Sequence, residues 1–232
     1  YIFVNNFFSE PVFKSVSKKK ARLIFSIAML YHLNDPITFS REVAACLHDK
    51  GVWLIQMAYL PAMIQTNMYD NIVHEHAGYY AAQHLKWVVE KVGLEIFDVE
   101  ENDVYGGSFR VFVKKGGTKK FAPTERYRLI LNKELADGLF DSSTYQNFTN
   151  RIEKTRNDLR DLCRKIKAEG KTIWIYGAST KGNTILQYYG FNGKLIEGAA
   201  DKDKEKWGKY TVGTWIPILS EAKARKKADY FL

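Results

Sequence analysis

The sequence predicts an α/β protein in which a mainly parallel sheet closes with an antiparallel pair of strands, and a second, smaller α/β region follows. Short apolar runs typical of buried strands alternate with helical segments through the first part of the chain. A glycine pair joins two later strands so closely that they must run antiparallel. Beyond Gly170, a strand, a small-residue turn and a helix begin the second region.

Capping residues delimit the first strand and helix. Residues 22–29 form an apolar run that predicts a buried strand. Asp35 and Pro36 then open a helix as its N-cap and first residue, and Gly51 is expected to close it. His32 is therefore expected in the loop at the carboxyl end of the strand.

The rest of the first region continues this alternation and ends in a hairpin. The expected elements are a strand at 52–57, a helix at 80–92, and strands at 94–99 and 108–114. The last two strands flank Gly106 and Gly107. A parallel sheet finished by an antiparallel hairpin is the closing arrangement of class I S-adenosylmethionine (SAM) methyltransferases, which is a likeness of fold.

The second half begins with a charged helical stretch. The expected elements are that stretch at 123–168, strands at 172–176 and 195–200, and a helix through Gln187 after the turn 177–183. Backbone N–H groups and the helix dipole at such a turn attract phosphate, although the glycine spacing matches neither a dinucleotide fingerprint nor a P-loop. Asp201 follows the next strand, where an acid either binds a ribose hydroxyl or opens a turn.

The densest chemistry is the HEH run, in which His74 and His76 flank Glu75. Imidazole titrates near neutral pH, so the run predicts proton transfer. A metal site is one alternative, but His-x-His supplies two ligands, and the further candidates His32 and His84 do not stand at a helical interval. A solvated polar loop is the other alternative.

Topology favours the catalytic interpretation of this run. Ligands of open α/β sheets bind outside the carboxyl ends of the strands. His32, Tyr59 and His76 are all expected at that edge of the first sheet. We therefore expect them to share one site.

The composition limits the classes of binding partner that we expect. The net charge is +9 and the pI is near 9.3, but the lysines are scattered, so we expect a small phosphorylated substrate and no nucleic acid. No apolar run approaches the roughly 20 residues of a membrane helix and no signal peptide opens the chain, so we expect no membrane partner and a cytoplasmic location. Cys46 and Cys163 are isolated thiols, which we expect to be buried and unpaired.

Several residue runs, taken together, match the pattern of one known family. The chain resembles the SAM-dependent C-methyltransferases that act on nucleotide-linked keto-deoxysugars. The matching runs, which keep the family's order across nearly the whole chain, are Asn6-Phe7-Phe8-Ser9, Ala28 to His32, Tyr59-Leu60, Asp70, His74-Glu75-His76, Gly106 to Arg110, Tyr176 to Asn183, and Gly213 to Pro217.

This resemblance implies a domain organisation. Residues 1–116 would be a partial SAM-binding domain, 117–170 a helical connector, and 171–232 a truncated Rossmann-like domain that helps to hold the nucleotide-sugar. The glycine loop for SAM and the cysteines of a zinc-binding module are expected upstream of Tyr1. On this basis no metal is expected within the chain, and the fragment alone is expected to be inactive.

The resemblance also implies residue roles. His76 would remove a proton beside the sugar ketone, with Glu75 and His32 contacting the sugar or stabilising the developing charge. The remaining wall of the SAM pocket is expected at Ala28, Met29 and Tyr31. Substrate contacts are expected from Tyr59, His74, Tyr79, Arg110, Gly177, Ser179, Lys181, Asn183 and Asp201.

Four residues depart from those common in the antibiotic-sugar members of the family, namely Val73, Tyr105, Gln56 and Ala58. These departures leave the sugar and the methylated carbon open. Two other functions also stay open. One is an NAD(P)- or nucleotide-dependent enzyme that uses the Gly177 turn, and the other is a non-catalytic sugar-nucleotide-binding protein.

Overall fold

The computed structural model describes residues 2–232, which divide into two compact units. The first unit comprises residues 2–68 and 74–145, and the second comprises residues 69–73 and 146–232. The predicted connector at 117–170 is therefore shared between the units. Its first helix belongs to the first unit because it packs against a strand of the first sheet.

The first unit contains a four-stranded sheet in the order β1-β2-β4-β3. Strands β1 and β2 are parallel, whereas β4 is antiparallel to both of its neighbours, β2 and β3. The predicted closing hairpin is thus confirmed, with its second strand inserted beside β2. The strands are β1 (Ala21–Ile27), β2 (Leu47–Ala58), β3 (Leu94–Asn102) and β4 (Ser108–Lys115). The helices are α1 (Glu10–Val16), α2 (Pro36–Cys46), α3 (Leu60–Gln65), α4 (Ala82–Glu90) and α5 (Glu125–Ala136).

Helix α2 begins as predicted but ends earlier. The Asp35 carboxylate accepts a hydrogen bond from the Thr38 N–H at 2.9 Å, and Pro36 occupies the first turn. The helix ends at Cys46, and Gly51 lies inside β2 rather than closing the helix. A Cβ atom at Gly51 would lie 2.9 Å from the carbonyl oxygen of Ala21, so glycine permits the close approach of β1.

The two faces of the first sheet differ in burial. Trp53, Ile55 and Met57 of β2 are buried on the face that carries α2 and α4. On the opposite face, alternate side chains of the outer strand β1 are more than half exposed; these are Leu23 (51%), Phe25 (58%) and Ile27 (58%). Strand β1 therefore presents a row of apolar side chains to solvent.

The second unit contains an all-parallel sheet in the order β7-β6-β5-β8. This order, with an α-helix between β5 and β6 and another between β7 and β8, confirms the predicted second α/β region. The strands are β5 (Ile173–Tyr176), β6 (Gly198–Asp201), β7 (Ile218–Ser220) and β8 (Tyr230–Phe231). The helices are α6 (Ser142–Ala168), α7 (Thr180–Tyr189) and α8 (Glu221–Ala224).

The two thiols, Cys46 and Cys163, are buried and free, as predicted. Strand β6 starts later than predicted, at Gly198. The residues before it form a turn instead, in which the N–H groups of Leu195 and Ile196 donate to the carbonyl of Asn192. Over residues 2–232, no helix is both long and apolar enough to cross a membrane.

Candidate active site

The site starts at the carboxyl end of β1, where the backbone is strained. Ala28 follows the strand with φ +52°, in the left-handed region that costs a non-glycine residue about 1 kcal/mol. Its N–H donates to the carbonyl of Gln56 on β2 at 2.8 Å. A single 3₁₀ turn, Leu30–His32, follows directly and places Tyr31 and His32 at the end of the strand.

Three rings from two distant segments meet at this position. The ring centroid of Tyr31 lies 4.5 Å from that of His32 and 4.5 Å from that of His76. The two imidazole centroids are 5.1 Å apart, and the Tyr79 ring lies 6.2 Å from His76. The structure therefore brings His32 and His76 together, as the topology predicted, whereas His74 is exposed on the same loop.

Two backbone contacts hold the loop that carries His76. The Nδ1 atom of His32 lies 2.8 Å from the carbonyl oxygen of Glu75, and the N–H of Gly78 donates to the carbonyl of Tyr31 at 3.2 Å. A carbonyl only accepts hydrogen bonds, so Nδ1 of His32 is the donor, and in the neutral tautomer with this proton Nε2 has a lone pair. Glu75 contributes its backbone here, and its side chain is exposed.

A second tyrosine faces the cluster from the hairpin between β3 and β4. Tyr105 has φ +54° and a 76% exposed side chain. Burial raises the pKa of Tyr31, and Tyr105 adds a smaller contribution in the same direction. Gly106 and Gly107 hold the turn, because an added Cβ would lie 2.6 Å from Met68 or from Ala62. The glycine pair is the sequence signal for this strained position.

Tyr59 does not occupy the predicted position in a substrate site. Its side chain is 1% exposed, its ring centroid lies 4.8 Å from that of Phe109, and its hydroxyl donates to Oε1 of Glu134 at 2.9 Å. Glu134 also accepts from the N–H groups of Ala82 and Gln83 at 2.7 and 2.9 Å, so it caps helix α4. The expected substrate contact is corrected to a structural one, because the buried carboxylate needs hydrogen-bond donors.

Arg110 is held by its neighbours in the sheet. Its guanidinium donates twice to Oε1 of Gln56, at 3.0 and 3.1 Å, and once to Glu100 at 3.1 Å. These contacts cross from β4 to β2 and β3. Any substrate contact of Arg110 remains a prediction.

The Gly177 turn of the second unit is fixed mainly by its own residues. Gly177 has φ +101°, and the Ser179 hydroxyl accepts from the Gly182 N–H at 3.0 Å as the N-cap of α7. Lys181 lies 3.8 Å from the carboxylate of Asp70. Within the described part of the chain, Oδ1 of Asn183 is buried without a hydrogen-bond partner.

The carboxylate of Asp201 forms hydrogen bonds within this turn. It accepts from the N–H groups of Ala178 and Asp203, at 2.8 and 2.9 Å, and from the Lys206 ammonium at 3.1 Å. Burial acts to raise the pKa of Asp201, but these donors hold it below its usual range. Of the two interpretations left open by the sequence, the contacts are those of a turn-forming residue.

Metal binding has no support from the arrangement of ligands. No three His, Cys, Asp or Glu side chains of residues 2–232 gather closely enough to hold an ion. His32 and His76 face Tyr31 instead. The geometry suits proton transfer and hydrogen bonding.

Known proteins resemble this chain along most of its length. Residues 103–232 match the model of the C-methyltransferase C-terminal domain, and residues 4–99 match that of a methyltransferase domain. The curated C-methyltransferase NovU from Streptomyces niveus is 33% identical over 91% of this chain, which spans only 50% of that relative. Among solved structures, mitomycin 7-O-methyltransferase MmcR matches with a TM-score of 0.38 and 14% identity, over 45% of this chain and 32% of that chain. This similarity is too slight to support a conclusion about function. The family model and the identity to NovU together show that the chain belongs to the C-methyltransferase family.

Proposed function

We propose that the protein containing this chain transfers a methyl group from SAM to a carbon of a nucleotide-linked keto-deoxysugar. The observation that carries the proposal is the cluster of Tyr31, His32 and His76 at the carboxyl end of β1. Family membership supplies the reaction class. The chain spans about half of its curated relative, so the proposal concerns the whole protein.

A carbon beside a ketone becomes nucleophilic when it loses a proton. His76 is the proposed base, because an imidazole titrates near neutral pH and this ring lies inside the cluster. The proton moves from the sugar carbon to the ring nitrogen, and the electron pair moves onto the ketone oxygen. His32 presents Nε2 as an acceptor beside it and orients the sugar hydroxyls.

Tyr31 is the proposed donor to the enolate oxygen. A phenol is protonated at neutral pH, and burial raises the pKa of Tyr31 further, so its hydroxyl is able to donate a hydrogen bond. A preorganised donor in a partly buried site stabilises charge that develops in the transition state. Tyr31 therefore serves the reaction chemically in addition to lining the cofactor side.

The residues at the end of β1 fit one wall of a SAM site. In a doubly wound sheet the cofactor lies across the carboxyl ends of the strands, and Ala28 directly follows the carboxyl end of β1. Ala28, Met29 and Tyr31 would hold that side, with the strained Ala28 turning the chain away from the strand axis. SAM, when bound, supplies an electrophilic methyl group on a sulfonium.

The second unit is proposed to hold the charged part of the substrate. Gly177, Ser179, Lys181 and Asn183 surround the start of α7, where the helix dipole favours an anion. The buried Oδ1 of Asn183 also leaves one acceptor for a ligand N–H or O–H. Tyr79, beside His76, is proposed to contact the sugar.

The test is methyl transfer by the full-length protein with SAM and a keto-sugar nucleotide. His76→Ala should lower turnover about 10²- to 10⁴-fold and largely preserve nucleotide affinity. His48→Ala is the matched control, because His48 lies on β2 and its Nδ1 accepts from the nearby Lys50 N–H. Nucleotide binding without methyl transfer by the unmodified protein, or saturable NAD(P) binding without response to SAM, would refute the proposal.

A further inference from the structure

The turn between β3 and β4 lies at the same edge of the first sheet as the candidate base. Strands β1 and β2 are parallel, and β4 is antiparallel to both β2 and β3, so β3 runs in the same direction as β1 and β2. The carboxyl ends of these three strands therefore share one edge. Tyr105 follows β3 at this edge, and it is close enough to Tyr31 of the cluster to act on that phenol electrostatically.

The backbone of Tyr105 has an unfavourable conformation. Its φ is +54° and its ψ is +30°, in the left-handed region that residues with a large side chain rarely adopt. Glycine adopts this conformation without strain. Among residues 2–232, three other non-glycine residues have a positive φ, namely Ala28, Asn67 and Trp215. Because Ala28 directly follows β1, two of these four strained positions lie at the edge that carries the candidate base.

The burial of Tyr105 does not compensate for this strain. The side chain is 76% exposed, so its ring removes little apolar area from water. A large aromatic residue therefore occupies a position that suits glycine, with little gain from packing. Residues held in such sparsely populated conformations cluster at active sites and ligand contacts, where the surrounding structure keeps them in place. The strain thus indicates a functional role for the exposed phenol.

Hydrogen bonds fix the turn that carries Tyr105. The N–H of Gly107 donates to the carbonyl of Val104 at 3.3 Å, and the Ser108 hydroxyl donates to the same carbonyl at 2.7 Å. The carbonyl of Gly107 accepts from the N–H of Tyr59, which follows β2, at 3.2 Å. The turn is therefore tied both to itself and to the end of a neighbouring strand, and it presents Tyr105 in a defined place.

We propose that Tyr105 contacts the substrate, and that its hydroxyl forms a hydrogen bond with one hydroxyl group of the sugar and so selects which sugar is accepted. The inference rests on the proposed function, which places the sugar beside His76. A phenol both donates and accepts, so it matches a sugar hydroxyl. Tyr31 and the two histidines hold the sugar from one side, whereas Tyr105 reaches it from the β3–β4 turn. Contacts from separate elements fix the orientation of the ring.

Tyr105→Phe in the full-length protein removes the hydroxyl and keeps the ring. With SAM and a keto-sugar nucleotide, KM for the sugar nucleotide should rise about 3- to 10-fold, as expected for loss of one hydrogen bond. The value of kcat should change little, because this contact forms before proton transfer and persists through it. Tyr210→Phe, at a 56% exposed tyrosine of the second unit, is the matched control and should leave KM unchanged.

Substrate analogues that each lack one sugar hydroxyl identify the partner of Tyr105. One analogue should give the same KM with the unmodified protein and with Tyr105→Phe, because the hydrogen bond is absent from both. The other analogues should keep the full difference between the two proteins. An equal effect of Tyr105→Phe on every analogue would overturn the inference.

Tyr105→Gly tests whether the strain serves binding. The unfolding midpoint of the full-length protein in urea should stay the same or rise, because glycine relieves the strained φ, whereas KM should rise at least as much as in Tyr105→Phe. Asn67→Gly, at a φ of +56° in the same unit, is the control and should leave KM unchanged. A lowered midpoint in Tyr105→Gly would show a structural role instead and would overturn the inference.

The inference and the proposed function fail in different ways. Methyl transfer that depends on His76, with an unchanged KM in both Tyr105 variants, refutes only the inference. If the unmodified protein transfers no methyl group, the proposed function is refuted, and calorimetric binding of the sugar nucleotide then decides on Tyr105. Binding weakened about 3- to 10-fold by Tyr105→Phe would support the contact. Unchanged binding, or no binding by the unmodified protein, would overturn it.

Discussion

Tyr31 joins the two histidines that the fold brings together. Its ring contacts both His32 and His76, and its hydroxyl keeps its proton because burial raises the pKa. The ring and the hydroxyl therefore have separable roles. The ring packs the cluster, and the hydroxyl is the proposed hydrogen-bond donor.

Replacing Tyr31 by phenylalanine should separate these roles. Tyr31→Phe keeps the packing and removes the donor, so kcat for methyl transfer by the full-length protein should fall about 10²-fold. SAM affinity, measured by calorimetry, should change little. Tyr230→Phe, on β8 of the second unit, should leave kcat unaltered. An undiminished kcat in Tyr31→Phe would remove the hydroxyl from the mechanism.

The sequence predicts the position of a site residue correctly where the order of strands and helices alone determines that position. His32 directly follows β1, and the loop before α4 that carries His76 returns to the same edge, where Nδ1 of His32 contacts the carbonyl of Glu75. Tyr59 follows a strand as well, yet its hydroxyl turns inward to Glu134. Local sequence contains no signal for that contact, because the partner lies 75 residues further along the chain.

Helix α4 depends on an acid from another helix. Glu134 of α5 accepts from two N–H groups in the first turn of α4 and from the Tyr59 hydroxyl. Glu134 is 1% exposed, and burial raises its pKa although these donors oppose the shift. The N-cap position itself is Ala81, which has no side-chain acceptor.

Glu134→Ala should destabilise the first unit by about 3 kcal/mol, because it leaves three buried donors without a hydrogen-bond acceptor. Urea unfolding followed by circular dichroism measures the change. Glu134→Gln, which keeps one acceptor oxygen, should lose less. Glu125→Ala, at an exposed acid of the same helix, should have little effect. Equal stability of the Glu134→Ala and Glu125→Ala proteins would contradict the capping role.

Helix α5 is fastened to β3 by a second acid. Asp98 is buried and accepts from the Arg126 guanidinium and from the Thr124 hydroxyl. The hydrogen bonds of Arg126 hold the pKa of Asp98 below its usual range, although burial opposes them. These contacts explain why α5 is part of the first unit, which its local charged sequence did not indicate.

The lowered pKa of Asp98 predicts the sign of a pH effect. Its contribution to stability is complete above the unfolded pKa of about 3.9, and it is lost as the pH falls through the folded value. Asp98→Asn should therefore reduce the free energy of unfolding by about 1 to 3 kcal/mol at neutral pH and by much less near pH 2. Asp103→Asn, at an exposed acid of the first unit, is the control. A pH-independent difference would show that charge is not the cause.

At the scale of the whole molecule, two family models together cover most of the chain. The methyltransferase-domain match covers 4–99, and the C-methyltransferase C-terminal match covers 103–232. The order of the predicted strands and helices is confirmed in both units, because the alternation of apolar runs and the capping residues determine that order. The sequence does not predict which unit each helix belongs to, because that depends on contacts between elements distant in sequence.

The uncovered face of β1 has a practical consequence. Within residues 2–232, β1 pairs with a strand on one side only, and Leu23, Phe25 and Ile27 expose apolar side chains along it. Exposed apolar edge strands of this kind can pair with strands of other chains. The purified chain should therefore self-associate as its concentration rises, with light scattering increasing accordingly. Phe25→Lys should keep the chain dispersed, because a charge on an outer strand repels a second copy. Trp215→Lys, at an exposed tryptophan of the second unit, should not.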